Sequence, residues 1–223
     1  MGTRTVQSIL DRAEIKAHDP DNVRWGAAEG LMWVNDGSLA VVNALPRSYT
    51  QTAVAVAVSG TRQTLSGLGL TTGLQIIDVI HNVTSAGGIG NAITKTPRAF
   101  IDETVPGWHA QGATEAQHWM TDDEDPKAFY IYPYITGGGK MRVVYAATPA
   151  DLTALGDTIL LDDVHANALQ FFVLFSFYSK DLESIKSAQL AQMYYGLFNQ
   201  AIGIRDQKLS ISEAKSNAKQ QGA

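Results

Sequence analysis

The stretch Thr158–Asp206, TILLDDVHANALQFFVLFSFYSKDLESIKSAQLAQMYYGLFNQAIGIRD, decides how the rest of the chain is read. An apolar Ile159-Leu160-Leu161 leads into Asp162-Asp163. Two aromatic-rich amphipathic segments of roughly 20 residues each follow, broken near Ser179–Ser187. Val164, Ala168, Phe171, Phe172, Phe175 and Tyr178 form one broad apolar stripe, and Met193, Tyr194, Leu197, Phe198 and Ala201 form another. The spacing predicts a helical pair in which Phe171, Phe175, Tyr178, Tyr194 and Phe198 are packing positions, core first and subunit contact second. Asp162 or Asp163 suits a helix N-terminus, where orphan N–H groups and the dipole favour an anion. That reading outweighs an acid/base or metal role for Asp162-Asp163-x-His165.

Composition excludes several classes of function. The chain has 223 residues, enough to bury a substantial core, with 45% hydrophobic and 17% charged residues, as in an ordinary folded protein. A net charge of −5 gives no chain-wide attraction to nucleic acid. The absence of cysteine removes disulfides, thiolate metal sites and thiol nucleophiles together, and suits synthesis in a reducing compartment. The opening MGTRTVQSILDRAEIKAHD has no apolar signal region, and no apolar run approaches the roughly 20 residues that span a bilayer. A soluble protein without a membrane partner is expected.

Outside the helical pair the period changes twice. Val6, Ile9, Leu10 and Ala13 predict a first helix ending near His18-Asp19-Pro20. A second is expected from about Trp25 to Ala44, capped by Asp21 or Asn22 and closed by Pro46. Its apolar positions are Trp25, Ala28, Leu31, Met32, Leu39 and Val42, and Gly30 and Gly37 weaken it by about 1 kcal/mol each. Strands are predicted at Thr52–Ser59, Arg62–Leu65, Gln75–Thr84, Ala92–Thr94, Glu115–Met120, Phe129–Tyr134 and Met141–Ala146, with Gly60-Thr61 and Gly137-Gly138-Gly139 as turns. Pro97–Glu103 reads as a short helix. The expectation is an α+β fold. Residues 1–48 and 158–206 form a helical bundle, 49–157 an inserted antiparallel β sheet or sandwich, and 207–223 an extended polar tail.

The motifs that resemble chemistry resolve into local structure. Thr136-Gly-Gly-Gly-Lys140 lacks the longer glycine frame and following helix of a phosphate loop, so it reads as a hairpin turn. Gly87-Gly88-Ile89-Gly90 opens no helix and reads as a strand connection with positive φ. The five histidines have no helical zinc spacing. Asp122-Asp123-Glu124-Asp125 lacks the ligand alternation of a calcium loop and reads as a solvated turn. No catalytic, cofactor or metal residue is assigned. The alternating Tyr130, Tyr132 and Tyr134 are the exception, since a tyrosine face can stack sugars or bases.

An ordered set of short motifs carries a resemblance. It runs through Trp25, Leu31-Met-Trp-Val-Asn-Asp36, Gly60-Thr-Arg-Gln63, Ile77-Asp-Val79 and Asn82, and Pro106-Gly-Trp-His109. It continues through Asp125-Pro126, Phe129-Tyr-Ile-Tyr-Pro133, Leu161-Asp-Asp163, Ala168-Leu169 and Tyr178-Ser-Lys-Asp181. From about Val6 to Gly203 the chain resembles the head-to-tail adaptor (connector) proteins of tailed bacteriophages, especially short-tailed ones.

The resemblance implies a structural virion protein of the neck, made in the bacterial host cytoplasm, and not an enzyme. It implies a homo-oligomeric ring of about a dozen copies built on heterologous contacts. The implied partners are the portal protein, a downstream tail or nozzle protein, and genomic DNA passing through the lumen without sequence-specific binding. The tail from Arg205 carries Arg205, Lys208, Lys215 and Lys219 against Asp206 and Glu213, four cations less two anions. It would dock on the portal through Lys208, Leu209, Ile211 and Lys215. The competing expectation is a carbohydrate-binding tail module or small enzyme using the Tyr130/Tyr132/Tyr134 face.

Overall fold

The structure is a computed structural model that describes residues 2–19, 21, 23–180 and 184–221, with side chains as far as Gly203. In chain order its elements are α1 (Val6–Ala17), α2 (Ala27–Ala44), β1 (Thr50–Val56), β2 (Arg62–Thr64), β3 (Gly73–Val83), β4 (Ile89–Ala92), β5 (Thr94–Lys95) and α3 (Arg98–Thr104). They continue with β6 (Gly112–Ala113), β7 (His118–Thr121), β8 (Ala128–Tyr132), β9 (Tyr134–Ile135), β10 (Lys140–Ala147), α4 (Ala166–Ser179) and α5 (Ile185–Gln221). The class is α+β. The chain forms a helical unit from Met1–Ser48 and Pro149–Ala223, and a β-rich unit from Tyr49–Thr148.

The helical unit is organised on α4. Its sequence, ANALQFFVLFSFYS, is apolar nearly all round, and such a helix must be covered on several sides. It packs against α1, α2 and α5. Thr5 caps α1 by accepting the Ser8 N–H, and α1 ends at His18 with φ 57°. The turn to α2 is held by Asp19, whose carboxylate accepts the N–H groups of Val23, Arg24 and Trp25. Asp21 therefore does not cap α2 as expected, and Asn22 lies outside the described residues. The helix starts at Ala27 behind Gly26, with no side-chain cap. Trp25, ahead of it, is buried and stacks on Phe177 at 4.7 Å.

The buried face of α2 differs from the one expected. It consists of Gly30, Val34, Gly37, Ser38, Val41 and Val42, whereas Met32 and Leu39 are 58% and 39% exposed. The two glycines are the reason. A Cβ at Gly30 would lie 2.9 Å from Leu10 Cδ1, and one at Gly37 would lie 3.0 Å from Phe172 Cδ1. The propensity lost at each glycine is offset by the close approach of α1 and α4.

Two boundaries also move. Residues 149–157, expected in the insertion, belong to the helical unit because their polar groups are bonded there. Asp157 and Leu155 carbonyls accept from Val6 and Gln7 N–H, and Asn35 exchanges two bonds of 3.0 Å with the Leu152 backbone. The segment 207–223, expected as an extended tail, is helical backbone as far as Gln221. Its Lys, Gln, Ala, Glu and Ser residues carry small helix penalties, and no proline interrupts them before Gly222.

The β-rich unit contains two four-stranded sheets, β1-β10-β3-β4 and β2-β8-β7-β5, and a two-stranded β6-β9 pair. One core joins Ala55, Val79, Met141 and Val143 of the first sheet to Trp119, Phe129 and Ile131 of the second. Pairing is antiparallel except for β5–β7 and β6–β9, which are parallel. The turn at Gly60 (φ 97°) does not make a hairpin, because β1 and β2 belong to different sheets. Buried Gln63 holds that crossing, accepting from Val58 N–H and donating to the carbonyls of Val58 and Gly60. Gly137 and Gly138, with φ near 70°, turn the chain from β9 into β10, but not as the hairpin expected, because β10 pairs with β1 and β3 while β9 pairs with β6. Gly87 (φ 83°) turns β3 into β4. Entry and exit of the unit are adjacent, since the Tyr49 carbonyl accepts the Ala147 N–H.

Filling the α2–α4 approach tests this packing. Gly37→Val is expected to lower stability by about 1–3 kcal/mol through overpacking against Phe172. Urea unfolding of the variant and the parent checks it, with an unchanged midpoint contradicting the close approach.

Candidate functional site

The aromatic positions of the helical pair meet each other inside one chain. Tyr178 stacks on Tyr194 at 5.7 Å, Phe171 on Tyr194 at 6.5 Å, and Phe172 meets the edge of Phe198 at 5.2 Å. Tyr178 and Phe198 are buried, while Phe171, Phe175 and Tyr194 are half-buried. On α5 the covered stripe is Ser187, Ala191, Tyr194, Phe198 and Ile202, a 3.6-residue period. Burial, with Tyr178 beside it, pushes the Tyr194 phenol upward, so it remains neutral. The large apolar side chains left exposed on this unit include Met32 and Leu39 of α2, and Ile185, Met193 and Tyr195 of α5. Lys208, Leu209, Ile211 and Lys215 fall on the α5 backbone beyond the described side chains.

The two aspartates before α4 divide their roles. Asp162 caps a short 3-10 turn at Asp163–His165 by accepting the Val164 N–H at 2.9 Å. Asp163 instead binds the segment ahead of α1. It accepts the Thr3 hydroxyl at 2.6 Å, the Thr3 N–H at 2.8 Å and the Arg4 N–H at 3.1 Å. The Thr3 hydroxyl first, then these N–H groups, hold the Asp163 carboxyl below the usual carboxylate range. Sequence reasoning found the anion but not this partner, which lies 160 positions away.

The tyrosine face is occupied by its own unit. Tyr130 and Tyr132 meet the Trp108 ring edge-on at 6.0 and 6.3 Å, and Arg98 lies 4.8 Å over Tyr130. Tyr132 also stacks with His118 and donates its hydroxyl to Gln111 Oε1 at 2.8 Å. Trp108 is buried with Ile101 and Met120, and its indole N–H donates to Asp102. A Cβ at Gly112 would lie 2.6 Å from the Tyr134 ring. Tyr130 and Tyr132 thus pack into a second small core with Ile101, Trp108 and Met120.

The acidic turn is likewise committed. Arg62 reaches Asp122 at 3.1 Å and Asp125 at 3.3 Å, while Asp122 and Asp125 also accept the N–H groups of Glu124 and Lys127. Partial burial opposes the Asp122 charge, but the Glu124 N–H and Arg62 together keep its titration below the usual range. Among the described residues, no three His, Cys, Asp or Glu side chains converge as a metal site would require.

A family model described as SU10 adaptor protein matches residues 4–220. The chain belongs to the SU10 adaptor protein family. No match was found among curated proteins. The family consists of phage head-to-tail adaptors, so the chain is a structural adaptor that associates with portal and tail proteins in the virion neck. The match starts at Arg4, beside the Asp163 contact, and runs almost to the end of α5. No helix among the described residues is long and apolar enough to cross a membrane.

The Asp163 contact gives the adaptor a pH signature. The folded carboxyl titrates below its unfolded value, so its stabilisation is present above about pH 4 and disappears as pH falls through the folded value. Asp163→Asn is expected to melt below the parent at pH 7, with the gap closing toward pH ~2.5. Thermal melts of both proteins at the two pH values measure it; a gap that persists in acid would contradict the assignment.

Proposed function

We propose that this SU10-family adaptor forms a homo-oligomeric ring beneath the portal, extends the DNA channel and joins the capsid to the next tail component. The observation that carries this is the family match over nearly the whole chain. The geometry of the helical unit supports it. A ring needs two different faces on each copy, one to meet the preceding neighbour and one the next. The exposed Met32 and Leu39 lie on α2, whereas Ile185 and Met193 lie on α5, away from its covered stripe. Phe171, Phe175, Tyr178, Tyr194 and Phe198 set the angle between α4 and α5 and reach a neighbour only through their uncovered edges.

In this proposal the end of α5 is the portal-docking arm, with Leu209 and Ile211 as apolar anchors and Lys208 and Lys215 as cations. The mild acidity of the rest of the chain lets DNA pass without adhering, since phosphate binding needs Lys and Arg. About a dozen copies would match the ring reading, with the nozzle or tail protein below them.

Light scattering coupled to size exclusion tests the ring and the arm together. The full chain mixed with its purified portal is expected to co-elute as a ring-sized complex. A chain lacking Gln207–Ala223 is expected to keep its melting temperature and fail to co-elute. A full chain that stays monomeric beside the portal refutes the ring, and normal docking by the truncated chain refutes the arm.

A further inference from the structure

The first sheet of the β-rich unit ends in a strand built without the usual protection of an edge. β1, Thr-Gln-Thr-Ala-Val-Ala-Val over Thr50–Val56, is the terminal strand of the order β1-β10-β3-β4. It contains no charged residue and no proline. Its register against β10 runs without a shift from Thr50↔Ala146 to Val56↔Lys140. Natural sheets blunt such edges with lysine, proline or a bulge, because a row of free N–H and C=O groups templates another strand.

The hydrogen-bond phase shows which groups are free. The Ala57 N–H donates to Gly139 and the Ala147 N–H donates to Tyr49, one bond at each end of the β1–β10 pair. Antiparallel pairing alternates, so the odd-numbered residues bond to β10. Thr50, Thr52, Val54 and Val56 direct their N–H and C=O groups away from the sheet. The side chains of these four residues are also the exposed ones, with Val54 and Val56 at 47% and 50%.

The neighbouring strand supplies a charge. Arg142 and Lys140 of β10 lie opposite Val54 and Val56, and both are exposed. Neither has an ion-pair partner among the described residues. The nearest carboxylate in the register, Asp78, lies opposite Val144 and accepts its own Val79 N–H. Two long cations therefore flank an open edge and reach across the adjoining strand position.

We infer that β1 is an acceptor edge for an extended segment of another protein. That segment would carry acidic side chains on the Arg142/Lys140 face and β-branched side chains on the Ala53/Ala55 face. Main-chain bonds to Thr50, Thr52, Val54 and Val56 would supply affinity, and the two cations would supply sequence preference. A second copy of this chain paired β1 to β1 gains no such attraction, because each edge is uncharged and brings its own cations. The inference rests on the β-rich unit alone and stands or falls separately from the ring.

The probe is a blocked, fluorescent peptide Glu-Val-Glu-Val-Glu-Val-Glu titrated with the full-length protein, beside the same peptide with lysine for glutamate. The acidic peptide is expected to bind at least about tenfold more tightly. Amide exchange at Thr50, Thr52, Val54 and Val56 is expected to slow by about tenfold or more on binding, with the odd-numbered neighbours unchanged. Val54→Pro removes one outward N–H, is compatible with an edge strand, and should weaken binding about tenfold or more. The double variant Lys140→Glu, Arg142→Glu keeps the backbone intact and should reverse the peptide preference, which covers the case in which the proline variant does not fold. No binding of the acidic peptide at about 1 mM, or equal binding of both peptides, overturns the inference. Protection of the four amides that rises with protein concentration in the absence of peptide assigns the edge to a second copy and also overturns it.

Discussion

The helical unit depends on the need to surround α4. A 14-residue helix whose only strongly polar interior side chain is Gln170 has no face that suits water. It must be enclosed by helices drawn from both ends of the chain. α1 and α2 come from before the β-rich insertion and α5 from after it. The two chain ends are therefore joined through α4 although about a hundred residues intervene. The insertion is compatible with this because it enters on β1 and leaves on β10, two paired strands bonded from Tyr49 to Ala147. A unit whose two connections lie side by side can be placed in a loop without separating the elements that flank it.

Enclosing α4 also explains the sequence features that seemed unfavourable in isolation. Gly30 and Gly37 lower the helical propensity of α2, yet they are the positions where Leu10 and Phe172 occupy the space of a side chain. Ser38, on the same buried face, returns its hydroxyl to the Val34 carbonyl and so brings no unpaired group inside. Large side chains at 32 and 39 are left outside, because the inner face has room only for small ones. Local propensity and packing conflict here, and packing prevails.

Much of the architecture was legible from periodicity. The α4–α5 pair, the break between them, α1, α3, most strands and the positions of the glycine turns follow from spacing and turn chemistry, which act over a few residues. The Gly137–Gly139 turn, however, changes sheets and makes no hairpin. What was not legible depends on partners distant in sequence. The inner face of α2 is set by the shapes of Leu10 and Phe172, so an apolar count selects Met32 and Leu39 instead. Asp163 reads as a helix cap until Thr3 is beside it. Gly60-Thr61 reads only as a turn, and the change of sheet that it makes is held by Gln63, which bonds back to Val58 and Gly60. The polar composition after Asp206 reads as a tail, although its residues are individually good helix formers and the backbone continues α5. Of the site, the sequence indicated the aromatic helices but not which rings they would satisfy internally.

That last distinction separates surface that is merely aromatic from surface that is available. Tyr130, Tyr132 and Tyr134 are the most conspicuous candidates in the sequence, yet Trp108 and Arg98 pack on Tyr130, and Trp108, His118 and Gln111 engage Tyr132. Tyr178 and Phe198 are likewise consumed within α4–α5 packing. Among the described residues, the groups left exposed are less conspicuous and include Met32, Leu39 and Met193 on the helices, backbone groups along β1, and Lys140 and Arg142 beside them. Large side chains placed inside in this way fix the shape of the unit that holds them. What is left exposed includes modest apolar side chains and main-chain groups, whose positions the interior has already fixed. Binding through such groups loses less conformational entropy when the backbone that presents them is already rigid.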